Sequence, residues 1–265
     1  MAWVLRGLRD GVVTSPYPRR PDGYGDGYKA SVSVLAARGG RAVDDELAGL
    51  CPTGAIRAEG GLRVDRGRCI LCGRCVEARP DRFAFDASPE VAALERGAIV
   101  VPPEDDAAVE RVRVELSRRV RFLRRSIHIR HVDAGSDGSE EWEVAALINP
   151  VYDVHRLGIY FTATPRHADL LLVTGVGTAG MAGPLRRTYM AMPDPKVVLA
   201  AGTDPISGGL VHPSYAGADG IGSVVPIDVF VPGSPPSPFS LLHGILVGVG
   251  LLPSTPGSLG SRAAR

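Results

Sequence analysis

At 265 residues the chain is long enough for two small domains. Thirty basic and 29 acidic residues leave a formal charge of +1, which gives no reason to expect nucleic acid as a partner. No apolar run approaches the roughly 18 to 20 residues a spanning helix needs, and the longest, Gly244 to Leu252, is short and glycine-rich. Direct membrane insertion is therefore not expected.

The start, Met1 to Asp10, has no long apolar core of the kind a signal peptide carries. Residues 1–28 are expected to form an extended arm: Ser15-Pro16-Tyr17-Pro18 and the turn-rich stretch from Pro21 to Gly27 have no core of their own. Residues 29–86 then read as a small ferredoxin-like module. A short helical pattern over Val43 to Leu50 ends at Cys51-Pro52, and Ala55 to Ala58 and Leu62 to Asp65 flank the turn Glu59-Gly60-Gly61.

Four cysteines carry the chemistry. Cys69, Cys72 and Cys75 stand in a C-x2-C-x2-C run, and Cys51-Pro52 precedes it. In bacterial two-cluster ferredoxins three thiolates come from such a run and the fourth from the Cys-Pro of the other run, so Cys51, Cys69, Cys72 and Cys75 form the ligand set of one 4Fe-4S cluster. The positions that would hold a second set are Arg41, Asp44, Leu47 and Arg79. One set is complete and the other wholly absent. Structural zinc is an alternative, although zinc sites usually combine two separated pairs. Disulfides are another, since the cysteine count is even, but a reduced cytoplasmic setting is expected without a signal peptide.

Residues 87–125 read as a linker and basic helix. Pro89, Pro102 and Pro103 interrupt periodicity, acid follows at Glu104, Asp105 and Asp106, and Arg118, Arg119, Arg121, Arg124 and Arg125 gather towards the helix end, as the helix dipole favours. That face could dock an acidic partner or simply be solvated. From residue 126 strands alternate with helices: strands over Ile127 to Val132, Gly158 to Thr162, Asp169 to Thr174, Lys196 to Ala201 and Val224 to Phe230, helices over Glu140 to Leu147, Ala179 to Met192 and Pro238 to Val249. Such alternation predicts a parallel sheet covered by helices over residues 126–252. Residues 253–265 are small, polar and basic and are expected to be disordered.

Weaker signals need their bland readings beside them. Gly175-Val176-Gly177-Thr178-Ala179-Gly180 follows a strand as a dinucleotide loop would, but the motif alone is weak. His128, His131, His155, His167, His212 and His243 show no metal-ligand spacing, and Ser207 and Ser234 stand in no nucleophile elbow.

Three long segments carry a resemblance: Thr164 to Gly175, Met192-Pro193-Asp194-Pro195-Lys196, and Pro226 to Gly233. On these, residues 126 to about 250 resemble the small, cluster-bearing subunit of group 4 membrane-bound nickel-iron hydrogenases of the formate hydrogenlyase type, and its relative, the 20 kDa subunit of respiratory complex I. The arm and the ferredoxin run look like the polyferredoxin subunit of the same complexes. The resemblance implies an α/β chain, a bacterial ferredoxin-like α+β domain followed by a flavodoxin-like parallel-sheet domain.

In that family the second domain holds a proximal 4Fe-4S cluster. Matching its motifs puts Asp137, Glu140, Asp204 and Ser234 where the cluster's cysteines stand. Carboxylates and hydroxyls suit hard cations rather than iron-sulfur clusters, so one cluster in all is expected, with a degenerate site of converging oxygen side chains. Such a site either binds a cation or relays protons, or is a cavity repaired with polar residues. The resemblance further implies an electron-transfer or scaffold subunit, not a complete enzyme alone, packed against a hydrogenase-like large subunit and membrane-embedded subunits. It would lie in the cytoplasm, peripheral on the inner face of the membrane through those partners. The alternative is a non-redox binding or regulatory module that uses the oxygen-lined crevice.

Overall fold

The computed structural model describes residues 2–20, 27–35, 41–102, 114–116, 118, 120, 123 and 126–252. The acidic start of the expected basic helix, its arginines Arg119, Arg121, Arg124 and Arg125, and the tail 253–265 lie outside them.

Helix α1 (Ala2–Asp10) stands where only an extended arm was expected. The ferredoxin-like unit follows: strand β1 (Ser31–Val34), helix α2 (Arg41–Gly49), strands β2 (Ile56–Arg57) and β3 (Arg63–Asp65), helix α3 (Arg74–Ala78) and strand β4 (Phe83–Asp86). β1 pairs antiparallel with β4 and β2 with β3, closing a small core of Val32, Leu47, Ile56, Leu62, Val64 and Phe83.

The second unit is a five-stranded, all-parallel sheet of β6 (Ile127–Asp133), β7 (Ile159–Phe161), β8 (Leu170–Thr174), β9 (Val197–Ala201) and β10 (Val229–Val231), in the order β10-β9-β8-β6-β7. That is the flavodoxin-like order, whose crevice opens where the winding reverses, here between the carboxyl ends of β6 and β8. Helices α4 (Ser139–Ala146), α5 (Ala179–Ala191), α6 (Thr203–Ser207) and α7 (Pro238–Gly248) cover it. β8 and β9 are buried at every residue, which is why they read as continuous apolar runs.

All eleven residues of α7 are buried, the fate of a helix that is apolar all round. Two segments from outside the sheet domain lie against it. Tyr17 packs edge-on against Phe239 at 5.6 Å, and the Ala92 amide donates to His243 Nδ1 at 3.2 Å.

Two sequence expectations are displaced. The last strand starts at Val229 rather than Val224, because a 3-10 turn at Ile221–Ser223 and Pro226, which lacks an amide hydrogen, keep the preceding residues out of the ladder. The stretch after residue 86 is no loose connection either. Val91 to Leu94 are buried, and Ala93 exchanges backbone hydrogen bonds with Phe230 at the edge of the parallel sheet. A few residues on, β5 (Val100–Val101) adds antiparallel to β3. One segment thus completes both sheets.

Candidate functional site

The four cysteines are brought to one cavity. Cys51 leaves α2, and its loop is held in place twice: the Ala55 amide donates to Cys51 Sγ at 3.2 Å, and Thr53 Oγ1 donates to the Arg68 carbonyl at 2.6 Å. That second bond ties the Cys-Pro loop to the segment entering Cys69. Leu71 and Gly73 take positive φ of 56° and 79°, turning the chain tightly between Cys69, Cys72 and α3, which carries Cys75. Cys72 is exposed and the other three are partly buried, and none forms a disulfide.

The donor set fits a 4Fe-4S cluster. All four thiols line the same cavity, whose remaining wall is mainly apolar, from Val32, Ile56 and Val64, with Thr53 and Arg74 and no carboxylate or imidazole. Burial pushes the Cys69 thiol up to about 12, helped by the negative charges Cys51, Cys72 and Cys75 would carry, and burial also raises Cys75. Burial thus disfavours the Cys69 and Cys75 thiolates unless a positive group such as a metal stands beside them.

A clamp that no spacing revealed fixes this cavity to the second domain. Asp65, fully buried, receives a two-pronged bond from Arg96 (2.8 and 2.7 Å), a third from Arg57 (3.1 Å) and the Gly67 amide (3.0 Å). Ser207, on α6, donates to the Gly67 carbonyl at 2.7 Å. A Cβ on Gly67 would meet Ile206 at 2.7 Å and Ile99 at 2.8 Å, so only glycine lets the cysteine loop lie this close to α6.

The same α6 borders the crevice. Asp137 is exposed and accepts from the Ser139 amide (2.9 Å) and hydroxyl (2.6 Å), which hold its carboxyl below the usual carboxylate range. Glu140 is 1% exposed and lies over Gly202, where a Cβ would come within 2.5 Å of its carboxylate. Burial, then the neighbouring Asp204, push Glu140 up to about 8; Asp204 is itself raised by burial and by Asp137. Asp137, Glu140 and Asp204 thus act on one another. Ser234, on the loop after β10, is partly buried, and among the described residues no hydrogen bond joins it to them.

Beside this trio lies a chain that the motif matching missed. Thr174 Oγ1 donates to Glu141 Oε1, Ser136 Oγ donates to Glu141 Oε2 at 2.7 Å, and His131 Nε2 lies 3.0 Å from Thr174 Oγ1. Burial keeps His131 below its ordinary pKa. Only the pairing of β6 with β8, which sets Asp133 opposite Thr174, brings these residues together. The glycine loop at 175–180 has a packing reason: a Cβ on Gly175 would strike the backbone of Gly135 and Ser136 at 2.6 Å, so its glycine lets the two crevice loops touch. The other histidines are mostly in structural pairs, His212 with Asp219 at 2.8 Å and His128 and His155 against the Tyr160 ring.

Comparison with known proteins places these features. Residues 138–247 match the family of the NADH ubiquinone oxidoreductase 20 kDa subunit, and residues 62–112 match a 4Fe-4S single-cluster domain, a span that includes Cys69, Cys72 and Cys75 and leaves Cys51 outside. Formate hydrogenlyase subunit 7 of Escherichia coli is 36% identical over 154 residues, 58% of this chain and 59% of that protein. The chain therefore spans less than two thirds of that relative. A probable membrane-bound hydrogenase subunit of Pyrococcus furiosus is 38% identical over 140 residues, 52% of this chain and 84% of that protein. In the solved archaeal membrane-bound sulfane sulfur reductase complex, one chain is 32% identical, with 50% of this chain and 74% of that one covered at a TM-score of 0.44.

Proposed function

The chain belongs to the family of the NADH ubiquinone oxidoreductase 20 kDa subunit, with a 4Fe-4S ferredoxin-like domain ahead of it, and from that premise we propose an electron-transfer and scaffold subunit that carries one 4Fe-4S cluster, on Cys51, Cys69, Cys72 and Cys75. One observation carries the single-cluster reading. The chain has four cysteines, all four line one cavity, and residues 126–252 contain none.

When bound there, a cluster of this type supplies one-electron transfer. The protein's own part is placement: Ala55 and Thr53 fix the Cys51 loop, Leu71 and Gly73 shape the run, and Asp65 with Ser207 holds the Cys69 loop to the second domain. In this reading the second domain docks a hydrogenase-like large subunit and membrane-embedded subunits, at the inner face of the membrane, and serves as scaffold rather than as a second electron carrier. Anaerobic purification with iron and sulfide analysis and paramagnetic resonance tests it. About four irons per chain are expected, as one cubane requires; eight would overturn the single-cluster claim, and none would overturn the cluster.

A second reading is favoured by one observation, the burial of Glu140 against Asp204. In it the crevice of Asp137, Glu140, Asp204 and Ser234 holds a proton or a hard cation. Calcium or magnesium titration of the protein and of a D137A/D204A variant tests the cation: binding lost in the variant supports it, and no binding excludes it.

A further inference from the structure

Residues 2–20 carry an asymmetry that electron transfer does not use. Every residue from Trp3 to Val13 is exposed, and the large apolar side chains of α1 are among the most exposed in the protein, Trp3 at 79% and Leu8 at 77%. At about 100° of rotation per residue, Trp3, Gly7, Val4, Leu8 and Leu5 fill one arc of roughly 200°, while Arg9, Arg6 and Asp10 fill the opposite arc of roughly 100°. Only Ala2 interrupts the polar arc.

A nine-residue helix without tertiary support is marginal in water, so a surface that covers the apolar arc is what would sustain it. Its foothold on the body is firm. The Ser15 amide donates to the Val151 carbonyl at 2.8 Å, Thr14 Oγ1 donates to the Pro150 carbonyl at 2.8 Å, Arg156 donates to the Tyr17 carbonyl, and the Tyr17 ring is buried. Val12 and Val13, also exposed, continue the apolar surface from the helix towards that foothold.

Charge identifies the covering surface. Arg6, Arg9, Arg19 and Arg20, all exposed, face one acid, Asp10, over residues 2–20, a local charge of +3 in a chain whose total is +1. The rest of the chain therefore carries −2. A short helix with tryptophan and leucine on one face and arginine on the other, beside more arginine, matches the interfacial region of an anionic lipid bilayer. No helix among the described residues is long and apolar enough to cross one. We propose that α1 lies in the headgroup layer of an anionic membrane, apolar arc inward, and so ties this subunit to lipid directly, besides any tie through partner subunits.

The test is co-sedimentation of the full chain with phosphatidylcholine vesicles, with and without phosphatidylglycerol, at low and high salt. Binding is expected to the anionic vesicles, weakened by salt, and reduced about tenfold or more by L5E/L8E, since two buried leucines are each worth more than the 1.4 kcal/mol that a factor of ten represents. R6E/R9E is expected to lose the preference for phosphatidylglycerol. In a W142F background, Trp3 fluorescence should shift to the blue on binding. These side chains touch no core, so iron content and melting temperature should stay unchanged and serve as the folding control. Absence of vesicle binding, or binding that L5E/L8E leaves intact, overturns the proposal. So does α1-dependent capture by a purified partner subunit with no response to lipid, which would assign the face to a protein.

Discussion

The loop leading into the cavity of Cys51, Cys69, Cys72 and Cys75 and the crevice of Asp137, Glu140 and Asp204 both touch α6, yet the two sites handle charge in opposite ways. The cysteine cavity gathers four sulfurs in a mainly apolar wall. Burial there disfavours the Cys69 and Cys75 thiolates, which a bound metal would stabilise. The crevice gathers carboxylates, and it settles them internally: Asp137 is satisfied by Ser139, Glu141 by Thr174 and Ser136, while burial and Asp204 push Glu140 up to about 8. In the proposed reading one site is built around something added, and the other is nearly closed on itself.

The sharpest way to break that comparison is to remove a sulfur. C51S or C69S is expected to lose nearly all cluster iron, read by iron analysis and by the visible absorption of the purified protein, whereas D204N should leave iron content unchanged. Equal iron in C69S and the parent chain would show that the cavity is not the cluster site.

Next in size is the clamp between the two regions. D65N removes the buried carboxylate that Arg96 and Arg57 share; the two arginines, 35% and 53% exposed, can turn to water, so weakening the charge-assisted bonds to Asp65 is expected to cost a few kcal/mol. Chemical denaturation should show this loss, together with faster proteolysis near residues 87–102 if the two units separate.

A smaller effect with a definite sign comes from Glu140. Its folded pKa, about 8, lies above the ordinary 4.5 of a glutamate, so between these values the native state holds more protons than the unfolded one. Stability from this group is therefore full below pH 4.5 and falls as pH rises towards 8. E140Q is expected to remove that slope and to stabilise the protein at pH 9 by on the order of 2–4 kcal/mol, measured by urea titration at pH 5 and pH 9. An unchanged slope in E140Q would place the proton elsewhere. Smallest of all, S207A deletes the bond to the Gly67 carbonyl and should cost about 1 kcal/mol.

Much of this was legible before any coordinates. β8 and β9 announced themselves as short apolar runs because a central parallel strand is buried on both faces. α4, α5 and α7 fall within two residues of their expected bounds. The cysteine spacing pointed to one set of ligands, since three of them lie within seven residues and local backbone geometry alone brings those together. What escaped was non-local. Ala93 on the edge of β10, Asp65 between Arg57 and Arg96, and Ser207 on Gly67 join residues up to 140 positions apart with no periodic signature. Glu141 escaped for a related reason: beside a motif-matched Glu140 it looks like a solvated helix charge until β8 brings Thr174 to it.

By itself the sequence determined the chemistry of the two donor sets, sulfur in one domain and oxygen in the other, because ligand softness belongs to the residue type and not to its surroundings. It did not reveal the helix over residues 2–10, and the amphipathic segregation there follows only once that helix is in place. Only the tertiary structure decided that the loop before Cys69 rests on α6, that Asp137, Glu140 and Asp204 act on one another, and that Tyr17 is sealed against Phe239 while Trp3 stays exposed. Those outcomes depend on which surfaces the folded sheets and helices bring together, and chain order does not encode such distances.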